Sequence, residues 1–226
     1  MKRLFVLTAG LLVFGVAQVT QLQARQDGLA FKIAEARKTN ATLMKQYSWQ
    51  SRTELLDNGK VADTRIESVT YGPNGQLQRT LINDEKAPLP SGFLRKRIAE
   101  KEREKVEQYF VGLRKLLDQY TLPTAGKVLD FVSQATIQAP DANGLLQLTG
   151  SSVVVPDDTL ALSVQVATPQ ITKMVITTTF EGDPVAATVT FKTVPSGLNH
   201  LEFGQVDVPA KKMELQLHNF NFNQNN

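Results

Sequence analysis

The chain has 226 residues, of which 42% are hydrophobic and 21% charged, a balance typical of one globular domain with a hydrophobic core. It contains no cysteine, which excludes disulfides, thiolate metal sites and a cysteine nucleophile. The formal net charge is +3, and this small excess gives no reason to expect a nucleic acid as partner.

Residues 1–24 are predicted to be a secretory signal peptide. Lys2 and Arg3 give a basic start, an apolar run follows, and small residues offer cleavage sites at Ala17 or Ala24. The apolar run is shorter than the roughly 20 residues that span a bilayer, so we expect cleavage rather than an uncleaved anchor. The sequence therefore predicts export to a bacterial periplasm.

A single domain is predicted over 25–222, followed by a frayed asparagine-rich tail at 223–226. Its first element should be a helix from Gly28 to Gln46. A meander of three strands then follows at 47–56, 61–71 and 76–83. Asn-Gly pairs in both intervening turns are the strongest local signal for hairpins.

A long amphipathic helix should follow, with Ser91 as a possible cap and Leu122-Pro123 at its end. Its second half, from Lys105 to Tyr120, carries an apolar stripe that must pack against a sheet. Its first half, 95–105, is densely charged. We interpret that half as a solvated face, with a docking or membrane-surface arm as the alternative.

A short helix over 124–134 and a second block of strands from Ile137 complete the predicted domain. Turn signals recur about every dozen residues, as in an antiparallel meander. Alternating apolar residues give the sheet one apolar face. The predicted fold class is α+β: an open curved antiparallel sheet, or half-barrel, around two or three helices.

Catalytic chemistry finds little support, and we predict no catalytic residue, no metal ligand and no cofactor. Matching the apolar faces would pair Leu201 with Leu217 and place His200 opposite His218, but two histidines alone do not make a metal site. The Asp157-Asp158 pair is interpreted as turn chemistry, because Asp readily bonds its own backbone.

The remaining candidate site is an apolar cavity between the sheet and the helices. A curved sheet closed by few helices often leaves such a space, although the same side chains can simply fill a core. The predicted lining residues are Trp49, Tyr71, Leu81, Tyr109, Phe110, Leu113, Met174, Phe180, Phe191 and Phe203.

The order of elements resembles the LolA/LolB-type lipoprotein-carrier superfamily. The residues behind this likeness are Tyr47 to Arg52, Tyr71 to Gly75 and Asn219 to Phe222. The resemblance implies an unclosed barrel with a helical lid, and a periplasmic carrier of a lipid or lipoprotein acyl chain that serves outer-membrane biogenesis.

The predicted function is accordingly non-enzymatic binding and transport of a hydrophobic ligand. The predicted partners are the ligand itself and, in addition, an inner- or outer-membrane envelope protein. The alternative is an envelope protein-interaction module or sensor domain, using the sheet edge or the charged helix 95–105.

Overall fold

The computed structural model describes residues 9–88, 91 and 93–225; positions 1–8 of the predicted signal peptide lie outside them. The helices are α1 Ala9–Met44, α2 Phe93–Leu117 and α3 Ala125–Gln134, with short 3₁₀ turns at Asp118–Thr121 and Pro209–Lys211. The strands are β1 Tyr47–Asp57, β2 Lys60–Tyr71, β3 Leu77–Lys86, β4 Thr136–Gln138, β5 Leu145–Ser151, β6 Thr159–Gln165, β7 Gln170–Phe180, β8 Asp183–Thr193, β9 Asn199–Val208 and β10 Met213–Gln224.

The strands form one antiparallel sheet in the order β3-β2-β1-β10-β9-β8-β7-β6-β5-β4. Neighbours in the sheet are neighbours in sequence except at one place, where the first strand pairs with the last. With helices on the concave side of this open sheet, the predicted α+β half-barrel is confirmed. None of the helices described combines the length and apolar character needed to cross a bilayer.

Local sequence accounts for where the elements end. The Asn58-Gly59 turn between β1 and β2 has positive φ at both residues, which asparagine and glycine tolerate best. Leu122 takes a left-handed conformation and ends the α2 region, and the Thr124 side chain accepts a hydrogen bond from the Lys127 amide at the start of α3.

The inner face of the sheet is defined by rows of cross-strand neighbours, which share a face. From β4 to β2, one row crosses nine strands and changes from apolar to polar on β1 and β2. In order from β4 it comprises Ile137, Leu148, Leu162, Met174, Val189, Gly204, Leu217, Thr53 and Arg65.

The core occupies one half of this inner face. A large buried cluster joins β5–β8 to α1, α3 and the first 3₁₀ turn, with Ile33, Tyr120 and Phe131 among its members. A smaller cluster packs α2 on β8 and β9 through Tyr109, Leu113, Val185 and Val208. The helical side chains that the structure describes in these clusters therefore pack on the β5–β9 half of the sheet.

Three expectations need correction. The first helix begins at Ala9, well before Gly28. The tail at 223–226 is not frayed as far as the structure describes it, because β10 runs to Gln224, which pairs with Tyr47, and the Asn225 amide donates to the Gln46 carbonyl at 2.7 Å.

The predicted pairing of the last two strands is also wrong. Leu217 pairs with Gly204, and His218 with Phe203. A bulge at Thr190/Phe191 shifts the register between β8 and β9. As a result His200 is buried and His218 is exposed, and the two do not face each other.

Candidate functional site

The inner face of β10 and β1 carries leucines that neither core cluster includes. Leu55, Leu215 and Leu217 are half-buried, and Leu55 and Leu215 lie in one row with Val206, which packs against both clusters. We call Thr53, Leu55, Leu215 and Leu217 the trough. The same rows that are solid core on β5–β9 thus continue as a partly open apolar floor.

The side of the trough formed by β2 is charged. Asp63 pairs with Leu55, Arg65 with Thr53 and Glu67 with Ser51, so these polar groups follow the leucines on the inner face. A ligand on the floor would therefore meet apolar contacts along its centre and charged groups along one side.

One end of the trough is closed by a ladder of rings across β9, β10, β1 and β2. The Trp49 and Phe222 rings stack with centroids 5.5 Å apart, and Trp49 also contacts Tyr71 at 6.2 Å. His200 lies against Phe222 with centroids 3.8 Å apart. Burial lowers the pKa of His200, which favours the neutral ring that such packing needs.

Helix α2 crosses the other end. Its apolar stripe rests on Phe180, Val185 and Val208, and further along Arg103 donates to the Ala87 carbonyl at 2.8 Å, just after β3. Between α2 and the turns β7–β8 and β9–β10 lies a hollow of about 410 Å³. Its lining residues are Glu102, Lys105, Val106, Gln108, Tyr109, Glu181, Lys211 and Met213.

Tyr109 anchors this end. Its ring contacts Phe180 at 5.1 Å, and the Lys211 ammonium lies 4.6 Å from its centroid while pairing with Asp183 at 3.1 Å. Burial raises the pKa of Tyr109 to about 12, with the Asp183 carboxylate acting in the same direction. The phenol therefore stays protonated at neutral pH and can only be a neutral hydrogen-bonding group.

Polar atoms without partners concentrate around the trough. Ser51 Oγ, Asp63 Oδ1 and the Tyr109 hydroxyl are buried and have no hydrogen-bond partner among the residues described; Gln165 Oε1, elsewhere in the sheet, is a fourth. Burial raises the pKa of Asp63, partly offset by Lys86. Such atoms are uncommon in native proteins and call for an explanation.

The structure does not gather the ten predicted lining residues into one cavity. Trp49 and Tyr71 belong to the ring ladder, while Tyr109, Phe110, Leu113 and Phe180 pack at the α2 end. Met174 and Phe191 belong to the large core cluster.

Two of the ten residues lie away from the inner core. Leu81, on the edge strand β3, is 53% exposed. Phe203 points to the outer face, because its pairing with His218 puts it opposite in direction to Gly204 and Leu217. There it lines a shallow hollow of about 300 Å³ with Arg52, Glu54, Glu202, Gln216 and His218. Its placement as a lining residue of the inner side was wrong for the same register reason.

The trough leucines and Phe222 were missed by the sequence reasoning. The alternation Met213, Leu215, Leu217 signals an apolar face, but it does not reveal that neither core cluster of the described residues includes these leucines. Phe222 falls on the inner face only because a bulge at Ser48/Gln50 and a left-handed Asn221 shift the end of β10.

The histidine and carboxylate candidates have structural surroundings: His200 packs against Phe222, and Asp158 holds a turn. Asp158 accepts backbone hydrogen bonds from residues 153–155, which confirms its interpretation as turn chemistry. Within the described part of the chain, no three His, Asp or Glu side chains are grouped as metal ligands would be.

Taken together, the fold defines an α+β protein with an open curved antiparallel sheet whose concave side is only partly covered by helices. No protein-family model matches the chain, and no curated protein matches it. Among solved structures, a DUF1329 family protein from Desulfovibrio piger is similar over 89% of this chain and 92% of that one, with a TM-score of 0.41 and 10% sequence identity. A likeness at that level carries no argument about function.

Proposed function

We propose that the protein is a non-enzymatic binder and carrier of an apolar ligand, a lipid or lipoprotein acyl chain, acting in the periplasm after export. The observation that supports this proposal is the trough, a half-buried apolar surface on β1 and β10 that belongs to neither core cluster. A ligand lying there would cover the inner face of β1 and β10, as helical side chains cover the inner face of β5–β9.

Hydrophobic burial supplies enough free energy for such binding. A twelve-carbon chain, at about 0.8 kcal/mol per methylene, gains on the order of 10 kcal/mol before ordering costs. The neighbouring Ser51 and Asp63 oxygens, which have no hydrogen-bond partner in the part of the chain described, supply polar groups that a ligand's head could meet after a small local rearrangement.

Native mass spectrometry of protein purified from bacterial envelopes tests carriage. We expect a bound lipid mass that organic extraction removes. A protein that emerges empty, and that gains no mass after incubation with lipid, would refute the proposal.

The position of the site is tested with the apolar probe N-phenyl-1-naphthylamine. Replacing Leu217→Ala removes most of one floor contact, and about tenfold weaker probe binding is expected from the loss of buried area. Phe203→Ala is the matched control, because it removes a half-buried apolar side chain from the outer face and should leave the affinity unchanged. Thermal unfolding of both variants checks that each remains folded.

A second candidate is a protein-interaction module that uses the β3 edge. Leu77, Leu81 and Ile82 on this outermost strand are each more than 40% exposed, as in edge strands that pair with other chains. Cross-linking in intact envelopes from a label at Ile82 separates the two readings. Capture of one defined protein, with no lipid found by mass spectrometry, would favour the interaction module.

A further inference from the structure

Most side chains described in the first turns of α2 are exposed. Near β3 the helix is attached through the ion pair between Glu107 and Lys86 and, one turn earlier, through the bond that Arg103 donates to the Ala87 carbonyl. Before Arg103, only Ala99 is half-buried, and the other side chains described from Phe93 to Glu102 are exposed. Apart from Ala99, the side chains that the structure describes in this segment are therefore open to the surroundings.

Two large apolar side chains lie in this exposed segment. Phe93 is 78% exposed and Ile98 is 63% exposed, and among the large apolar side chains that the structure describes only Phe31, at 64%, is comparable. Exposing them costs free energy unless something covers them in use.

Positive charge surrounds the same two residues. Phe93 to Ala99 contains three basic residues, Arg95, Lys96 and Arg97, and no acidic one. The ion pairs found on α2 lie further along the helix, between Lys105 and Glu102 and between Glu107 and Lys86. The three cations are exposed, so their charge is available to an external anion.

Exposed aromatic and aliphatic side chains among cations are the chemistry that binds an anionic bilayer surface. The apolar groups enter the headgroup boundary while the cations remain with lipid phosphates. We propose that residues 93–98 of α2, here called the basic turn, dock the protein on membranes that carry anionic lipid. This surface is separate from the trough and is tested without reference to it.

The absence of cysteine allows the basic turn to be probed at a single position. Phe93→Cys or Ile98→Cys, labelled with the environment-sensitive fluorophore NBD, is titrated with vesicles of phosphatidylglycerol and phosphatidylcholine at 1:1. We expect a blue shift and a rise in emission with these vesicles and none with pure phosphatidylcholine. The signal should weaken as salt is raised, because screening shortens the reach of the cations.

The label position has an internal control. Val111→Cys lies on the same helix and is also well exposed, but it is five turns away from Phe93. All variants carry the same N-terminal segment, so any affinity of that segment for lipid is common to every arm. A label at position 111 that responds as strongly as one at 93 would mean general adsorption and would overturn the proposal.

Charge is tested with a matched pair of triple variants. Replacing Arg95, Lys96 and Arg97 by Gln should weaken vesicle binding about a hundredfold, as loss of three cations near an anionic surface implies. Replacing Arg114, Lys115 and Lys127 by Gln removes the same charge from exposed positions elsewhere and should change binding by less than threefold.

Two results would contradict membrane docking. Equal weakening by both triple variants would mean that net charge alone acts. A shift at position 93 that appears without vesicles and grows with protein concentration would assign the basic turn to a contact with a second copy of the chain.

Discussion

At the residue scale, the Asp158 carboxylate accepts more hydrogen bonds than any other side chain that the structure describes. It is 1% exposed, and its carboxylate accepts the amides of Val153, Val154 and Val155 at 2.6–2.8 Å. The Tyr120 hydroxyl donates to it at 2.7 Å and lies 2.8 Å from Thr178 Oγ1. One carboxylate thus fixes a loop, the turn after α2 and the sheet together.

The pKa of Asp158 lies below its ordinary value. Burial alone would raise it, but the backbone amides and the Tyr120 hydroxyl favour the ionised form and outweigh burial. A lowered folded-state pKa stabilises the fold above the unfolded value of about 4, and that contribution is lost as pH falls through the folded pKa.

We therefore expect Asp158→Asn to lower the free energy of unfolding by about 1–3 kcal/mol at pH 7, since an amide cannot accept all four hydrogen bonds. The difference from wild type should shrink as pH falls below about 4, because the unfolded carboxylate is protonated first, and it should disappear once pH has also fallen below the lower folded-state pKa. Urea titrations across this pH range measure both effects.

Asp157→Asn is the control. Asp157 is exposed and has φ of +62°, a conformation that asparagine also tolerates. It should change stability by less than about 0.5 kcal/mol. Equal losses in the two variants would mean that the hydrogen bonds of Asp158 are not what holds the loop.

At the element scale, the docking of α2 depends on a close approach at Gly112. A Cβ built there would lie 2.7 Å from Phe180 Cζ, too short for a normal contact. Glycine in a helix interior ordinarily weakens the helix, so its position against Phe180 reflects a packing need rather than helix propensity.

Gly112→Ala should therefore destabilise the protein by about 1–3 kcal/mol, as overpacking outweighs the helical preference of alanine. In α3, Gly126 has nothing nearer than a side-chain oxygen at 3.9 Å. There the same substitution should stabilise by about 0.5–1 kcal/mol. Thermal melts of the two variants must move in opposite directions, and a shared direction would contradict the packing account.

Elements were predictable where short-range chemistry decides them. The Asn-Gly turns, the Leu122-Pro123 break and the apolar stripe of α2 placed the first hairpins, α3 and the inner side of α2 within a few residues. The bulges at Thr190/Phe191 and Ser48/Gln50 were not predictable. Each inserts an extra residue into one of two paired strands, and its position is set by how those two strands pair. One extra residue changes which side chains face inward, and His200, Phe203 and Phe222 were misplaced or missed for that reason.

At the scale of the whole molecule, the pairing of β1 with β10 joins the two sheet halves, and the ring ladder spans this seam. Trp49 on β1 stacks on Phe222 of β10, with His200 of β9 on the other side of Phe222. Trp49 is the only tryptophan in the chain, so its emission reports on the seam alone.

Phe222→Ala should shift Trp49 emission to the red and cost about 2 kcal/mol of stability, from lost stacking and burial. Phe220→Ala is the matched control, because Phe220 lies on the same strand beside His218. It should leave the emission maximum unchanged. A red shift of the same size in both would show that the end of β10 loosens as a unit.

Coverage of the sheet could not be predicted from sequence at all. Leu215 and Leu217 alternate as core residues do, yet the helices are placed over β5–β9 and leave them half-buried. Where a helix lies depends on contacts such as the bond from Arg37 to the Leu122 carbonyl, made across 85 positions of the chain. The fold class followed from sequence pattern, whereas the site followed only from helix placement.

The strand order also dictates when the molecule can be completed. Among the strands described, β10 alone joins the first meander, β1–β3, to the rest of the sheet. Tyr47 therefore cannot pair until Gln224 is present. Contacts between such distant positions form slowly, and until then β1 keeps a bare edge. The pairing of β1 therefore stays incomplete until β10 has been made, and a chain that lacks Met213–Gln224 lacks the join between its two halves.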